Sequence, residues 1–166
     1  RTTARPRGAG MTRTPVIVGG GSWGSALATA LQAAGQTPVV LVRNAETVRL
    51  LATGRCRQLA DLPPVSQIRA TTDPAILGEA GLVFLVVPVS ATAAALAQVV
   101  QHAGSPDALV LCAKGMAMTA DGAALMPELA GSLVPKLPAV ILSGPSFADE
   151  VMAGLPAAVT AAGTDK

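Results

Sequence analysis

Four stretches carry residue types that could do chemistry: Gly19, Gly21 and Gly24 in "VIVGGGSWGSALA", Arg43 in "VVLVRNAE", Lys114 in "LCAKGM" and Ser146 in "LSGPSF". A glycine-x-glycine-x-x-glycine run between an apolar stretch and an Ala/Leu-rich stretch suits a dinucleotide's diphosphate. Gly19 allows the tight turn, Gly21 lets the diphosphate approach the backbone, and Gly24 lets the following helix pack on the strand. The free N–H groups and positive dipole end of that helix then point at an anion. The letters alone also fit a glycine-rich turn without a ligand, so the flanking elements carry the weight.

An acidic residue about 20 positions past such glycines usually receives a ribose 2′-hydroxyl. Here Arg43 stands at that strand end, and a guanidinium suits a 2′-phosphate. The expected cofactor is therefore NADP(H), with NAD(H) possible because Glu46 lies slightly beyond and could take the acidic role. Lys114 follows an apolar run, at the carboxyl edge where doubly wound folds bind ligands. An ammonium there can polarise a carbonyl and stabilise a developing alkoxide during hydride transfer; the plainer reading is a strand-end lysine reaching solvent. Gly144 and Pro145 shape a second strand-to-helix junction that Ser146 opens. Such a junction can bind hydroxyls or phosphate through backbone N–H groups, although an ordinary capped helix has the same pattern.

These positions need elements to hold them. Apolar, β-branched runs at 15–18, 39–42, 68–71, 82–87, 108–113, 139–143 and 157–162 read as strands. Between them the sequence predicts helices: one after Gly24 with Leu27, Ala30, Leu31 and Ala34 facing the sheet, and 45–53 capped by Asn44 and closed by Gly54. Others follow at 74–80, opened by Asp73 and Pro74; at 91–103, capped by Ser90; from Thr119 to about Ser132; and at 147–153 behind Ser146. Strand alternating with helix is the mark of a doubly wound parallel sheet with helices on both faces. Pro63-Pro64 marks 54–67 as a loop. No internal repeat of fixed period is present.

Composition narrows the classes. A chain of 166 residues suits one domain. One Trp, two Phe and no Tyr give few stacking platforms for single-stranded nucleic acid, so no nucleic-acid partner is expected. The net charge of +2 falls by three, to −1, without Arg1, Arg5 and Arg7, so the basic balance belongs to the first residues. Residues 1–13 read as a disordered leader or tag and 14–166 as the dinucleotide-binding domain; "AAGTDK" at the end suggests a truncation before a further domain. The longest apolar runs fall short of the roughly 20 residues a membrane-spanning helix needs. His102 is the single histidine and reads as a surface helix-end residue. Cys56 and Cys112 lack metal-ligand spacing, no metal site is expected, and Cys112 reads as a core thiol. Free thiols fit a reducing cytoplasm.

"GGGSWGSALA", "LVVPVSA", "CAKGM" and "ILSGPSFADEV", in this order and at these separations, resemble the NAD(P)-dependent glycerol-3-phosphate dehydrogenases. The resemblance runs from about Val16 to the end, and "SGPSFA" about 30 residues after "AKG" is its specific part. It implies a Rossmann-like cofactor domain and reversible NAD(P)H-dependent reduction of dihydroxyacetone phosphate to sn-glycerol 3-phosphate, which feeds phospholipid synthesis. It also implies that Ser22, Trp23 and Arg43, with the glycines, contact the dinucleotide. Lys114 would contact both cofactor and substrate, Gly144 and Ser146 the substrate, and Ala148 the cofactor. The family's acid/base lysine would lie beyond Lys166, in a helical C-terminal domain through which a homodimer could form.

Two positions depart from the family pattern. Val89 follows Pro88 where a small hydroxyl residue is usual, and Met116-Ala117 replaces a pair in which an acidic residue is common. Met116, Met118 and Met126 read as packing, and Phe147 and Trp23 by themselves as core or lid residues. The alternatives are another NADP-linked hydroxyacid or ketoacid reductase, against which "AKGM" with "SGPSF" argues, or a nicotinamide-binding module without catalysis.

Overall fold

The computed structural model describes residues 13–120 and 122–163. The proposed leader therefore lies, apart from Arg13, outside the described residues. Seven strands form one sheet: β1 (Thr14–Val18), β2 (Val39–Leu41), β3 (Ala70–Thr71), β4 (Ala80–Leu85), β5 (Ala108–Leu111), β8 (Ala139–Ser143) and β9 (Thr160–Gly163). Their order is β3-β2-β1-β4-β5-β8-β9, parallel throughout except at the last pair. β1 sits between β2 and β4, so its carboxyl end opens at the point where the strand order reverses, the place where such sheets bind ligands.

The helices that cover the sheet are α1 (Ser22–Ala33), α2 (Ala45–Ala52), α3 (Val89–His102), α4 (Met126–Leu133) and α5 (Ala148–Met152). Side chains alternate along each central strand, and both faces are buried. Val16, Val18, Val83, Leu85, Leu109 and Leu111 enter a cluster with Leu96, Val99 and Leu129 from α3 and α4. Ile17, Phe84 and Val110 enter the opposite cluster, with Ala28 and Leu51 from α1 and α2. Because the strands are buried on two sides, they read as continuous apolar runs. The expected doubly wound α/β fold is the observed one, and none of the described helices is long and apolar enough to cross a membrane.

Several local expectations need correction. β9 runs antiparallel to β8, with Ile141 opposite Ala162, and starts at Thr160 rather than 157. β9 lies at the sheet edge, with β8 as its neighbour. Thr119 does not cap a helix. Residues 116–125 hold a hairpin of β6 (Met116–Thr119) and β7 (Gly122–Leu125), with Thr119 paired to Gly122. Thr119 Oγ1 donates to the Gly122 carbonyl at 2.9 Å, and Gly122 takes the positive φ of +116° that side chains resist. α4 begins only at Met126, where the Glu128 carboxylate accepts from the Leu125 N–H at 2.7 Å.

The hairpin also decides the methionines. Met126 is buried as expected, but Met116 is 60% and Met118 81% exposed, because alternation along β6 turns Ala117 inward instead. α3 starts at Val89 with Pro88, not Ser90, as its N-cap: no side chain caps it, and the Pro88 carbonyl accepts from the Ala91 N–H at 2.9 Å. α5 starts at Ala148 behind Phe147, so Ser146 is not its cap. Residues 74–79 form a 3-10 helix, with Asp73 Oδ1 accepting from the Ala75 N–H at 2.9 Å. On α1, Leu27 and Leu31 pack toward the sheet, but Ala30 and Ala34 are exposed; Gly24 and Ala28 hold the buried positions. The 54–67 loop is confirmed and contains one 3-10 turn at 57–59.

Candidate active site

The glycine turn leaves β1 and enters α1. The Gly19 N–H donates to the Leu41 carbonyl at 2.9 Å, tying the turn to the end of β2. Gly19 has φ of +118°, and a Cβ there would stand 2.1 Å from the Val86 carbonyl oxygen. A Cβ on Gly24 would stand 1.9 Å from the Gly19 oxygen. Gly20, to which the sequence reading gave no separate task, carries the packing of α2: its Cβ would come within 2.5 Å of Val42 Cγ1 and 3.1 Å of Thr47 Cγ2.

Gly21 differs from these three. A Cβ there would meet nothing within 4 Å, so that glycine faces open space at the N-terminus of α1. No side chain caps α1, and its first turn holds no acidic residue, so its leading N–H groups and dipole are left for an anion. Three glycines excluded by the protein's own backbone or side chains and one excluded by nothing in the chain fit a diphosphate laid over Gly21. The residues present therefore suit the diphosphate of a dinucleotide.

At the end of β2, Arg43 is exposed and, among the described residues, makes no hydrogen bond or ion pair. Asn44 caps α2 as expected, its Oδ1 accepting from the Thr47 N–H at 2.8 Å. Glu46, the candidate for the acidic role, is ion-paired with Arg57.

The second part of the site is a cleft of about 280 Å³ that brings together Trp23, Lys114, Gly144, Ser146 and Ala148. Five residues picked from three separate sequence stretches thus share one wall. Two contacts build it. Met152 of α5 packs with Ala26 of α1 and with Cys56, and Trp23 and Ala148 lie against that cluster, so the second junction closes on the first turn of α1. β5 and β8 are neighbours, which puts Lys114 and Gly144, each just past its strand end, side by side. Gly144 has φ of +159°, and a Cβ there would meet the Ala158 carbonyl at 2.5 Å.

Lys114 is exposed and also borders a neighbouring cleft of about 220 Å³ between β5, β8 and the start of α4. The Ser146 N–H donates to the Gly144 carbonyl at 3.0 Å, so its hydroxyl rather than its N–H is the group left to meet a substrate. Phe147, a core or lid residue by sequence, is 69% exposed at the cleft edge. Gly19, Gly21, Ser22, Gly24 and Arg43 stay outside this cleft, on the dinucleotide side.

Cys112 was missed as a cleft residue. It packs, partly buried, against the Ile17–Phe84–Val110 core cluster as expected and also lines the pocket with Trp23 and Lys114. Its position two residues before Lys114 on an outgoing strand is the one signal that could have placed it there. Burial drives its pKa from 9.0 up to about 11, only partly offset by a side-chain hydrogen bond with Trp23. The thiol is thus neutral near pH 7. His102 ends α3, as expected. Among the described residues no group of three or more His, Cys, Asp or Glu is placed to hold a metal.

Known proteins match this arrangement. The family pattern for the N-terminus of NAD-dependent glycerol-3-phosphate dehydrogenase matches residues 15–166. Glycerol-3-phosphate dehydrogenase [NAD(P)+] of Beijerinckia indica is 39% identical over 156 residues, which cover 92% of this chain and 46% of that protein. The crystal structure of glycerol-3-phosphate dehydrogenase from Coxiella burnetii superimposes with a TM-score of 0.80 at 29% identity, over 92% of this chain and 47% of its own. A Plasmodium falciparum glycerol-3-phosphate dehydrogenase, at 20% identity and TM-score 0.78, shares the fold. The chain spans about half the length of the curated relatives it matches. With nearly all of its length matched by that pattern, the chain belongs to the NAD-dependent glycerol-3-phosphate dehydrogenase family, of which it represents the N-terminal part.

Proposed function

We propose that this chain is the cofactor-binding half, with part of the substrate site, of an enzyme that reversibly reduces dihydroxyacetone phosphate to sn-glycerol 3-phosphate. The observation that carries the reading is the meeting of Trp23, Lys114, Gly144, Ser146 and Ala148 in one cleft beside the uncapped start of α1. A reduced nicotinamide bound there supplies the hydride.

The chain's own residues hold and polarise. Gly19, Gly21, Ser22 and Gly24 seat the diphosphate, with Trp23 and Ala148 walling the passage from dinucleotide to substrate. Lys114 binds the substrate oxygen that gains negative charge, and stabilises that charge more as it grows, which is what lowers a barrier. Ser146 and Gly144 orient the substrate from the opposite side of the cleft. No residue within 1–166 is assigned the acid/base role; the resemblance puts that lysine further along. Arg43, without a hydrogen bond or ion pair among the described residues, supports a preference for NADP(H) over NAD(H). Two free cysteines are in keeping with work in a reducing cytoplasm, and the product suits phospholipid synthesis.

The test is NADPH oxidation by the intact gene product with and without dihydroxyacetone phosphate, repeated with NADH. Oxidation that requires the substrate, and is faster with NADPH, supports the reading. Cofactor binding without substrate-dependent oxidation would remove the assigned reaction.

A further inference from the structure

Basic residues are concentrated in one stretch of this chain. Residues 43–57 hold Arg43, Arg49, Arg55 and Arg57, four of the twelve basic residues in the sequence, with Glu46 as the one acidic residue among them. The start of α2 adjoins the glycine turn, since a Cβ on Gly20 would touch both Val42 and Thr47. Arg43 and Glu46 therefore flank the strand end where the adenosine ribose of a dinucleotide is received. A carboxylate there favours a ribose 2′-hydroxyl and repels a 2′-phosphate. Arg57, arriving from the 54–67 loop, engages that carboxylate.

The loop that delivers Arg57 is anchored. The Val65 N–H donates to the Gly54 carbonyl at 3.0 Å, the Ile68 N–H to the Leu51 carbonyl at 2.9 Å, and Cys56, adjacent to Arg57, is buried. The Arg57 side chain is exposed, but its starting point is fixed.

We propose that Arg57 is a second specificity-determining residue for the dinucleotide, which neutralises Glu46 and, with Arg43, leaves net positive charge for a 2′-phosphate. The proposal rests on the reading above that the glycine turn binds a nicotinamide dinucleotide. In it the ion pair serves discrimination; exposed pairs of this kind add little to stability.

Calorimetric titration of the protein with 2′,5′-ADP and with 5′-AMP, which differ only at the 2′ position, tests it. Arg57→Ala should weaken 2′,5′-ADP about fivefold and leave 5′-AMP unchanged or tighter, because Glu46 is then unpaired. Adding Glu46→Gln to Arg57→Ala should restore most of the lost 2′,5′-ADP affinity. Equal losses for both nucleotides, an unchanged preference in Arg57→Ala, or no recovery in the double variant would each overturn the proposal. A wild type that binds neither nucleotide would overturn the parent reading as well, which separates the two failures. Arg57 is largely exposed, so the variants should keep the wild-type melting temperature.

Discussion

Gly24 stands so close to Gly19 that a Cβ on the first would lie 1.9 Å from the carbonyl oxygen of the second. Gly19 in turn has no room toward Val86 and adopts a φ of +118°. The turn that faces the diphosphate is thus locked by its own backbone, and the space over Gly21 is what remains of it. This contact separates the structural glycines from the binding glycine.

Gly24→Ala should destabilise the fold by about 1–3 kcal/mol, because backbone cannot yield as a side-chain end can. Gly21→Ala, with nothing within 4 Å and no positive φ, should melt like wild type but bind NADPH more weakly. Thermal melts paired with NADPH titration would separate the two; equal melting of both variants would contradict this division.

Arg43→Ala should weaken NADPH binding about tenfold or more while barely changing NADH. Titration of each nucleotide measures the ratio. Equal losses for the two would mean that Arg43 does not read the 2′-phosphate.

Lys114→Met in the intact gene product should lower turnover of dihydroxyacetone phosphate by about 10²–10³-fold, the usual effect of losing one donor to a developing oxyanion. Lys114 is exposed and outside the three core clusters, so the melting temperature should hold. A loss confined to KM would make it a binding residue only.

Cys112 gives a pH signature. Its folded pKa is raised to about 11 from 9.0, so the folded state holds the proton more tightly than the unfolded chain does. The stability tied to this thiol is therefore complete below pH 9 and is lost as pH rises from about 9 to about 11. Alkylation of Cys112, followed by peptide mass spectrometry, should be slow at pH 7–8 and should accelerate toward pH 11. Rapid labelling at pH 7 would contradict the burial that raises it.

Met116, Met118 and Leu125 on the hairpin, Phe147 at the cleft edge and Leu155 after α5 are large apolar side chains left exposed. This chain should bind a hydrophobic dye or self-associate with rising concentration. Met118→Ser, at the most exposed of these positions, should lower the dye signal without altering the melting temperature. A chain that binds no dye and remains monomeric would argue against an available apolar face.

The sequence by itself determined the central sheet, the glycine turn and the strand-end placement of Arg43 and Lys114. These follow from local rules: strands buried on both faces must be apolar throughout, and a tight turn onto a helix must spare its side chains. Caps from short polar side chains were equally legible at Asn44 and Asp73, where the bond spans two or three residues. The stretch 116–125 was not, because Met, Ala, Leu and Thr in that run have no decisive periodicity. Only the pairing of β6 with β7, and the inward packing of Ala117, makes it a hairpin. Tertiary structure alone decided that Trp23 and Ala148 share a wall, that Cys112 faces the cleft, and that β9 turns back antiparallel. Each depends on contacts between segments from 14 to 126 residues apart in the chain, such as Gly144 against Ala158 across the return to β9 or Met152 against Ala26, and no local pattern encodes which distant surface an apolar face will meet.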